Sequence, residues 1–402
     1  MSVRWTLVAL GFCTCSAQSG AYDLPNTVTE AAQMERMDAM PKTGLYSAPT
    51  DLSKSKPGDL LGQETASGYL FPLKKAVRIL YHSLDTNGEH VVTSAVVLVP
   101  RGPTPRGGWP VIAWAHGTSG VASRCAPSLM RDVWYGDEGL LAMIKGGFAV
   151  VATDYHGLGT AGPHLWATKK SQAWDVIYSI PAARAAVSEL GRRWVADGHS
   201  QGGLAAWGVA ELESNLDDGD YLGAVSVSGT VAMSDFARHI NENPEGFEYL
   251  TYLAATVQAL YPEFDARQIL TDDVMRRYPQ ATHDGCWFYG YALLKDLPRG
   301  GALKDGWARN QWMQKYAAQN EEGKVRVTKP LFVITGEGDR TIPIQSAREI
   351  VERACRLRSA IFFKSYPGLD HDPTMVASTP DQLAWIRDRF AGVRLQPNCA
   401  GT

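Results

Sequence analysis

Trp194-Val195-Ala196-Asp197 runs into Gly198-His199-Ser200-Gln201-Gly202 and then into Gly203-Leu204-Ala205-Ala206-Trp207. The first four residues read as a strand and the last five as the start of a helix, so the pattern G-x-S-x-G bridges the two. A serine on such a turn has a strained backbone, and side chains two residues before or after it would collide. Gly198 and Gly202 meet that steric demand, and His199 packs in the elbow between them. The helix start also aims its first N–H groups and its positive dipole end at the space above Ser200. A pattern this short also arises by chance, so the rest of the chain must supply partners for the serine.

Outward from this turn, β-rich apolar runs alternate with helical patterns. The runs are 110–115, 148–152, 194–196, 224–227, 331–334 and 361–363. Continuous apolar strands separated by helices predict a parallel sheet covered on both faces. Ahead of them, Val77-Arg78-Ile79-Leu80-Tyr81 and residues 91–99 flank Asp85-Thr86-Asn87-Gly88, which reads as an antiparallel hairpin with an Asn-Gly turn. The expectation is an α/β fold of about eight mostly parallel strands flanked by helices, formed by residues 22–231 and 327–402. Residues 22–70 read as an extension over the surface. The alternation breaks once, over 232–326, where helical patterns carry a concentration of aromatics from Phe247 to Tyr316 and no strand pattern. An insertion there, at the carboxyl edge of the sheet, would form a helical cap or lid over the site. Most of its aromatics would build its own core and a minority would line an apolar acyl pocket.

A serine hydroxyl is a poor nucleophile at neutral pH and needs a base within reach and an anion to orient that base. For a serine on a strand-to-helix turn the chain order is serine, acid, histidine. Three histidines follow Ser200: His239 and His283 in the insertion, and His371 after the last strand pattern, within Gly368-Leu369-Asp370-His371-Asp372-Pro373. His371 is therefore the expected base, on a loop. The acid should follow the preceding strand, where Glu337-Gly338-Asp339-Arg340 stands; Asp339 is the choice and Glu337 the weaker candidate. Asp370 and Asp372 read as capping residues. The oxyanion needs two donors, and the Gln201 N–H supplies one. The second is expected from His116-Gly117-Thr118-Ser119-Gly120, with Thr118 first and Gly117 next. Asp154-Tyr155-His156-Gly157-Leu158-Gly159 lacks the Lys-Ser/Thr of a phosphate-binding loop and is assigned to shaping the site, with His156 and His164 as structural residues.

The 402-residue chain is 45% hydrophobic and 20% charged with a formal charge of −3, which draws it neither to nucleic acid nor to an anionic membrane. Arg4 precedes an apolar run from Trp5 to Cys13 and small residues beyond, so residues 1–21 read as a signal peptide cleaved near Ala17 or Ala21. No other stretch is long and apolar enough to span a bilayer. The expected location is therefore secreted, extracellular or periplasmic. Cys125, Cys286, Cys355 and Cys399 remain, with no metal-ligand spacing and no C-x-x-C pair. An even number in an exported chain suggests two disulfides in one of three connectivities. The preferred pairing joins Cys355 to Cys399, which ties down the tail, and Cys125 to Cys286; free thiols are the alternative in a reducing compartment.

Trp114-Ala115-His116-Gly117-Thr118-Ser119-Gly120, the following Arg124-Cys125-Ala126-Pro127-Ser128, the 154–159 segment, the Ser200 elbow with Gly203, Gly338-Asp339 and His371 together resemble the secretory lipase family of α/β-hydrolases, the group that includes lipase A-like enzymes. The resemblance covers residues from about 75 to 399. It implies Ser200 as nucleophile, Asp339 as acid, His371 as base, a helical cap, two disulfides, no cofactor or metal, and carboxylic esters or acylglycerols as substrates. Transient contact with a lipid interface through the cap would follow. Alternatives on the same scaffold are a serine peptidase, an acyltransferase and a non-catalytic binding protein.

Overall fold

Each of the six apolar runs becomes a parallel strand. The computed structural model describes residues 24–47, 51–216, 218–394 and 396–399; the expected signal peptide lies outside the described residues. The strands are β1 (Leu60–Ala66), β2 (Leu73–Leu84), β3 (His90–Pro100), β4 (Trp109–Ala115), β5 (Ala149–Thr153), β6 (Leu190–His199), β7 (Tyr221–Val227), β8 (Leu331–Gly336) and β9 (Ile361–Tyr366). They form one sheet in the order β1-β2-β3-β5-β4-β6-β7-β8-β9. β1, β2, β3 and β5 are joined antiparallel, and β4 through β9 run parallel to one another. The β2–β3 hairpin turns where the Asn-Gly pair stands: Gly88 has φ +87° and donates to the Asp85 carbonyl.

Burial on both faces follows from the strand period. On β4, Val111, Ala113 and Ala115 enter one core while Ile112 and Trp114 enter the other. The first core is covered by α3 (Lys169–Ala186), α4 (Gln201–Leu216) and α11 (Ile344–Arg356), the second by α2 (Leu141–Lys145) and α12 (His371–Ala391). The chain moves from β4 to β5 on one side and returns to β6 on the other. That reversal leaves a crevice at the carboxyl ends of β4 and β6, where open α/β sheets bind ligands.

Two expectations for the amino-terminal part change. Residues 60–66 add an edge strand, and α1 (Val28–Asp38) is a docked helix rather than a loose covering. Glu35 on α1 accepts from the Cys286 and Tyr289 N–H groups at 2.9 Å each, placing a carboxylate at the start of α9 (Trp287–Leu294). Sequence reading missed β1 because Gly62-Gln63-Glu64-Thr65 is polar, as suits a strand paired on one side only.

Between β7 and β8 the chain forms α5 (Met233–Asn241), α6 (Phe247–Leu260), α7 (Asp272–Met275), α8 (Tyr278–His283), α9 and α10 (Gln311–Asn320), with no strand among the described residues beyond the isolated Leu270–Leu303 bridge. Their core contains Phe247, Leu250, Tyr252 and Tyr316, and it also takes in Trp166, Leu204 and Ile342 from outside the insertion. The insertion is thus packed onto the sheet domain through a shared core. Disulfides Cys125–Cys286 and Cys355–Cys399 are both formed, and the first ties α9 to the segment after β4 across 161 residues. No helix among the described residues is long and apolar enough to cross a membrane.

Candidate active site

β6 carries the chain to His199, and α4 begins at Gln201, so Ser200 alone makes the turn. Its φ is +57°, a left-handed conformation that is strained for serine. Two backbone bonds hold it: Ser200 N–H donates to the Val227 carbonyl at 2.9 Å, and its carbonyl accepts from Leu204 N–H at 3.1 Å. The two glycines are required by contact. A β-carbon on Gly202 would fall onto the Ala115 carbonyl, and one on Gly198 onto the Gly202 carbonyl.

His371 is the first residue of α12, not a loop residue. Asp370 is the N-cap and accepts from the His371 N–H at 2.8 Å, the capping role expected of it. Pro373 lies in the first helical turn, where no intrahelical N–H bond is needed, so its presence does not break the helix. Asp370 also accepts from Arg340 N–H and Nε at 2.9 and 2.6 Å, linking α12 to the loop that carries Asp339.

The imidazole of His371 is buried, with Nδ1 2.9 Å from Asp339 Oδ2 and 3.1 Å from Oδ1. Asp339 is fixed in turn by the Thr341 and Ile342 N–H groups at 2.9 and 2.8 Å. A carboxylate can only accept, so Nδ1 carries a proton and Nε2 is left to act on another group. That Nε2 is buried with no hydrogen-bond partner among the described residues. Burial by itself would lower the histidine's affinity for a second proton. The charge and hydrogen bond of Asp339, helped by Asp372 and Asp370, outweigh burial and raise its pKa to about 9. Glu337, the weaker acid candidate, instead accepts from Ser365 Oγ at 2.7 Å and does not meet His371.

His199 lies against His371 with ring centroids 4.6 Å apart. Its Nε2 donates to the His371 carbonyl at 3.3 Å, which leaves Nδ1 to accept from Tyr135 OH at 2.6 Å. Burial, with the neighbouring His371 charge, holds its pKa well below the usual histidine value, so it braces the elbow as a neutral ring. Tyr135 has no local sequence signal. It comes from a segment where Val133 and Trp134 have φ of +55° and +67°, and its hydroxyl occupies the space a Gly117 side chain would need.

Thr118 and Gln201 meet across the crevice. Trp166 Nε1 donates to Thr118 Oγ1 at 2.9 Å, Thr118 Oγ1 donates to Gln201 Oε1 at 3.1 Å, and Gln201 Nε2 donates to His164 Nε2 at 3.1 Å. His164 Nδ1 then donates to the His156 carbonyl at 3.0 Å, which fixes the direction of every bond in the relay. His116 is buried against Tyr155, and burial lowers its pKa to about 4. Asp154 accepts from Ser94 Oγ at 2.6 Å and from Ser128 N–H at 2.7 Å, so the 154–159 segment is tied to β3 and to the loop after β4. Burial lifts the Asp154 carboxyl to about 6.

Two small cavities border Ser200. One, of about 20 Å³, is lined by Thr118, Gln201 and apolar residues of α4 and α5; the other, of about 40 Å³, contains His371, Asp372, Glu138 and aromatic residues. Of the insertion's aromatics, Phe236, Tyr249, Trp287 and Phe288 reach these cavities. A groove of about 500 Å³ between α1 and α9 holds none of Ser200, Asp339 or His371, so its size does not make it the reactive centre. His199, His371 and Asp372 come within 4.8 Å of one another, but three of the four imidazole nitrogens are already engaged, which suits no metal.

Comparison with known proteins gives concordant findings. The secretory lipase family profile matches residues 135–398. An 81-residue stretch is 30% identical to the secreted triacylglycerol lipase LIP7 of Malassezia globosa, covering 20% of this chain and 17% of that protein. The fold is similar to Candida antarctica lipase A in its closed state, with a TM-score of 0.76, 16% identity and 90% of each chain covered. It is also similar to the rice cell wall degrading esterase LipA of Xanthomonas oryzae, with a TM-score of 0.69 and 19% identity over 85% of this chain and 100% of that one.

Proposed function

This chain belongs to the secretory lipase family, a group of exported carboxylic ester hydrolases, and from that premise we propose that it cleaves carboxylic esters, acylglycerols among them, through an acyl-enzyme on Ser200. The observation that carries this reading is the Asp339–His371 pair: its buried Nε2 has no partner, and His371 lines the same cavity as the strained Ser200.

In the first half-reaction Ser200 Oγ attacks the ester carbonyl carbon while His371 Nε2 takes the hydroxyl proton. The tetrahedral oxyanion is held by the N–H groups of Gln201 and Thr118, with Gly117 giving the loop its close approach; the Gln201 amide, first in its helix, has no intrahelical acceptor. The carbon–oxygen bond to the alcohol then breaks, and His371 returns the proton to the departing oxygen. In the second half-reaction water attacks the acyl group, His371 accepts its proton, and Ser200 is regenerated. Asp339 keeps the imidazole in one tautomer and stabilises the imidazolium. Residues 232–326 act as the cap, with residues 22–231 and 327–402 as the catalytic domain.

Contact with a lipid surface through the cap would require exposed apolar side chains. Val325 is the one large apolar residue of the insertion that is exposed among the described residues, with Leu293, Trp307 and Trp312 half-buried. Ser200→Ala tests the reaction: p-nitrophenyl acetate turnover should fall by about 10⁴-fold or more, as triads lose on removal of a member, with the melting temperature retained. Undiminished turnover would refute the assignment.

A further inference from the structure

The two cavities beside Ser200 belong to different halves of an ester. The departing alcohol oxygen must come within hydrogen-bond reach of His371 Nε2, the atom that reprotonates it. The cavity that contains His371, lined also by Trp134, Glu138, Trp287, Phe288 and Asp372, is therefore the alcohol side. The other cavity contains Ser200, Gln201 and Thr118 but not His371. With the carbonyl oxygen between the Gln201 and Thr118 amides, the acyl carbon chain points into it.

That acyl side is nearly filled. Its volume is about 20 Å³, half that of the alcohol side at about 40 Å³. Leu204, Val231, Met233, Phe236 and Ile342 close it, each at most 5% exposed. They all belong to one core cluster, and Met233 also lines a separate groove of about 390 Å³ beside α10, so its side chain borders both spaces. Phe236 is wedged between Trp166 and Tyr249, with ring centroids 5.8 and 5.9 Å away. Trp166 is itself tied through Thr118 to Gln201, so the wall is continuous with the groups that would hold the oxyanion. A longer acyl chain has to displace packed side chains rather than occupy free space.

We propose that the acyl side admits acetyl- and propionyl-sized groups and that Met233 and Phe236 on α5 set this limit. The inference rests on the acyl-enzyme reading above and narrows its substrate class to short-acyl esters. Met233 and Phe236 act on specificity through the space they fill.

p-Nitrophenyl acetate, butyrate and octanoate, each below its micellar concentration, vary the acyl side while the leaving group stays fixed. For the native chain kcat/KM should fall by at least ~100-fold from acetate to octanoate, because a misfit methylene costs roughly 10- to 200-fold. Phe236→Ala and Met233→Ala should raise the octanoate-to-acetate ratio by ~10-fold or more, chiefly through KM. Phe236→Leu, which keeps an apolar wall and protects the fold, should move the ratio in the same direction by less. Ser200-dependent turnover that favours octanoate in the native chain, or a ratio unmoved by all three variants, overturns the acyl limit alone. Turnover that survives Ser200→Ala overturns the parent reaction instead, so the two failures are told apart.

Discussion

The turn after β6 and helices α5–α6 both border Ser200, but different forces place them. At the turn, backbone lies directly on backbone: Gly198, Gly202 and Gly203 leave no room for a β-carbon against the Gly202, Ala115 and Val227 carbonyls. On α5–α6, aromatic and aliphatic side chains pack on one another, with Phe236 against Trp166 and Tyr249. Backbone contact admits a single geometry, whereas side-chain packing accepts exchange at a modest cost if volume is kept. On the proposed reaction, the turn would therefore fix where the chemistry occurs, and the insertion could vary what is accepted there.

Gly202→Ala challenges this contrast most severely. The new β-carbon cannot rotate away from the Ala115 carbonyl, so β4, β6 and α4 would have to separate. We expect little soluble folded protein and no turnover, read by expression yield and a urea melt. A folded, active Gly202→Ala enzyme would place the turn in the tolerant class with the insertion.

Asp339→Asn should leave the fold intact and lower kcat by about 10⁴-fold, because the orienting acceptor is lost. It should also alter the pH response. In the native chain the Asp339 carboxylate helps hold His371 protonated up to about 9, so kcat/KM should rise with pH through that value as Nε2 is freed. The linked stability has the opposite trend. The folded pKa lies above the unfolded value near 6.5, so the stabilisation is complete below about 6.5 and is lost as pH rises through about 9. Both limbs should move to lower pH in Asp339→Asn, as checked by pH-rate profiles and thermal melts.

The Cys125→Ser, Cys286→Ser double variant acts on the join between the two regions. Opening a link that spans 161 residues should cost about 2–5 kcal/mol of stability, measured by denaturant unfolding, with a smaller loss of turnover at low temperature. The smallest effect concerns the outer face of the insertion. With Val325 as its one exposed large apolar residue among the described residues, raising tributyrin through its solubility limit should produce no jump in rate.

The same contrast explains how much could be read before the structure. Periodicity and glycine spacing report on backbone, and they yielded the six parallel strands, the hairpin and the Ser200 turn. The order serine, acid, histidine selected Asp339 and His371, which the fold brings to within 2.9 Å. The turn formers from Gly368 to Pro373 suggested a loop around His371, yet a proline in a first helical turn loses no hydrogen bond, and α12 starts at His371. β1 was overlooked because an edge strand needs no apolar run. Tyr135 and the Trp166–Thr118–Gln201–His164 relay left no local mark either. Those contacts join residues far apart in the chain, and only the three-dimensional packing specifies them.

The most direct test of the account is intact-mass analysis after treatment with a p-nitrophenyl alkylphosphonate carrying a methyl group. One phosphonyl adduct per chain is expected, located by peptide mapping to Ser200 and formed far more slowly in Asp339→Asn. An adduct at another residue, or none while ester turnover continues, would contradict it.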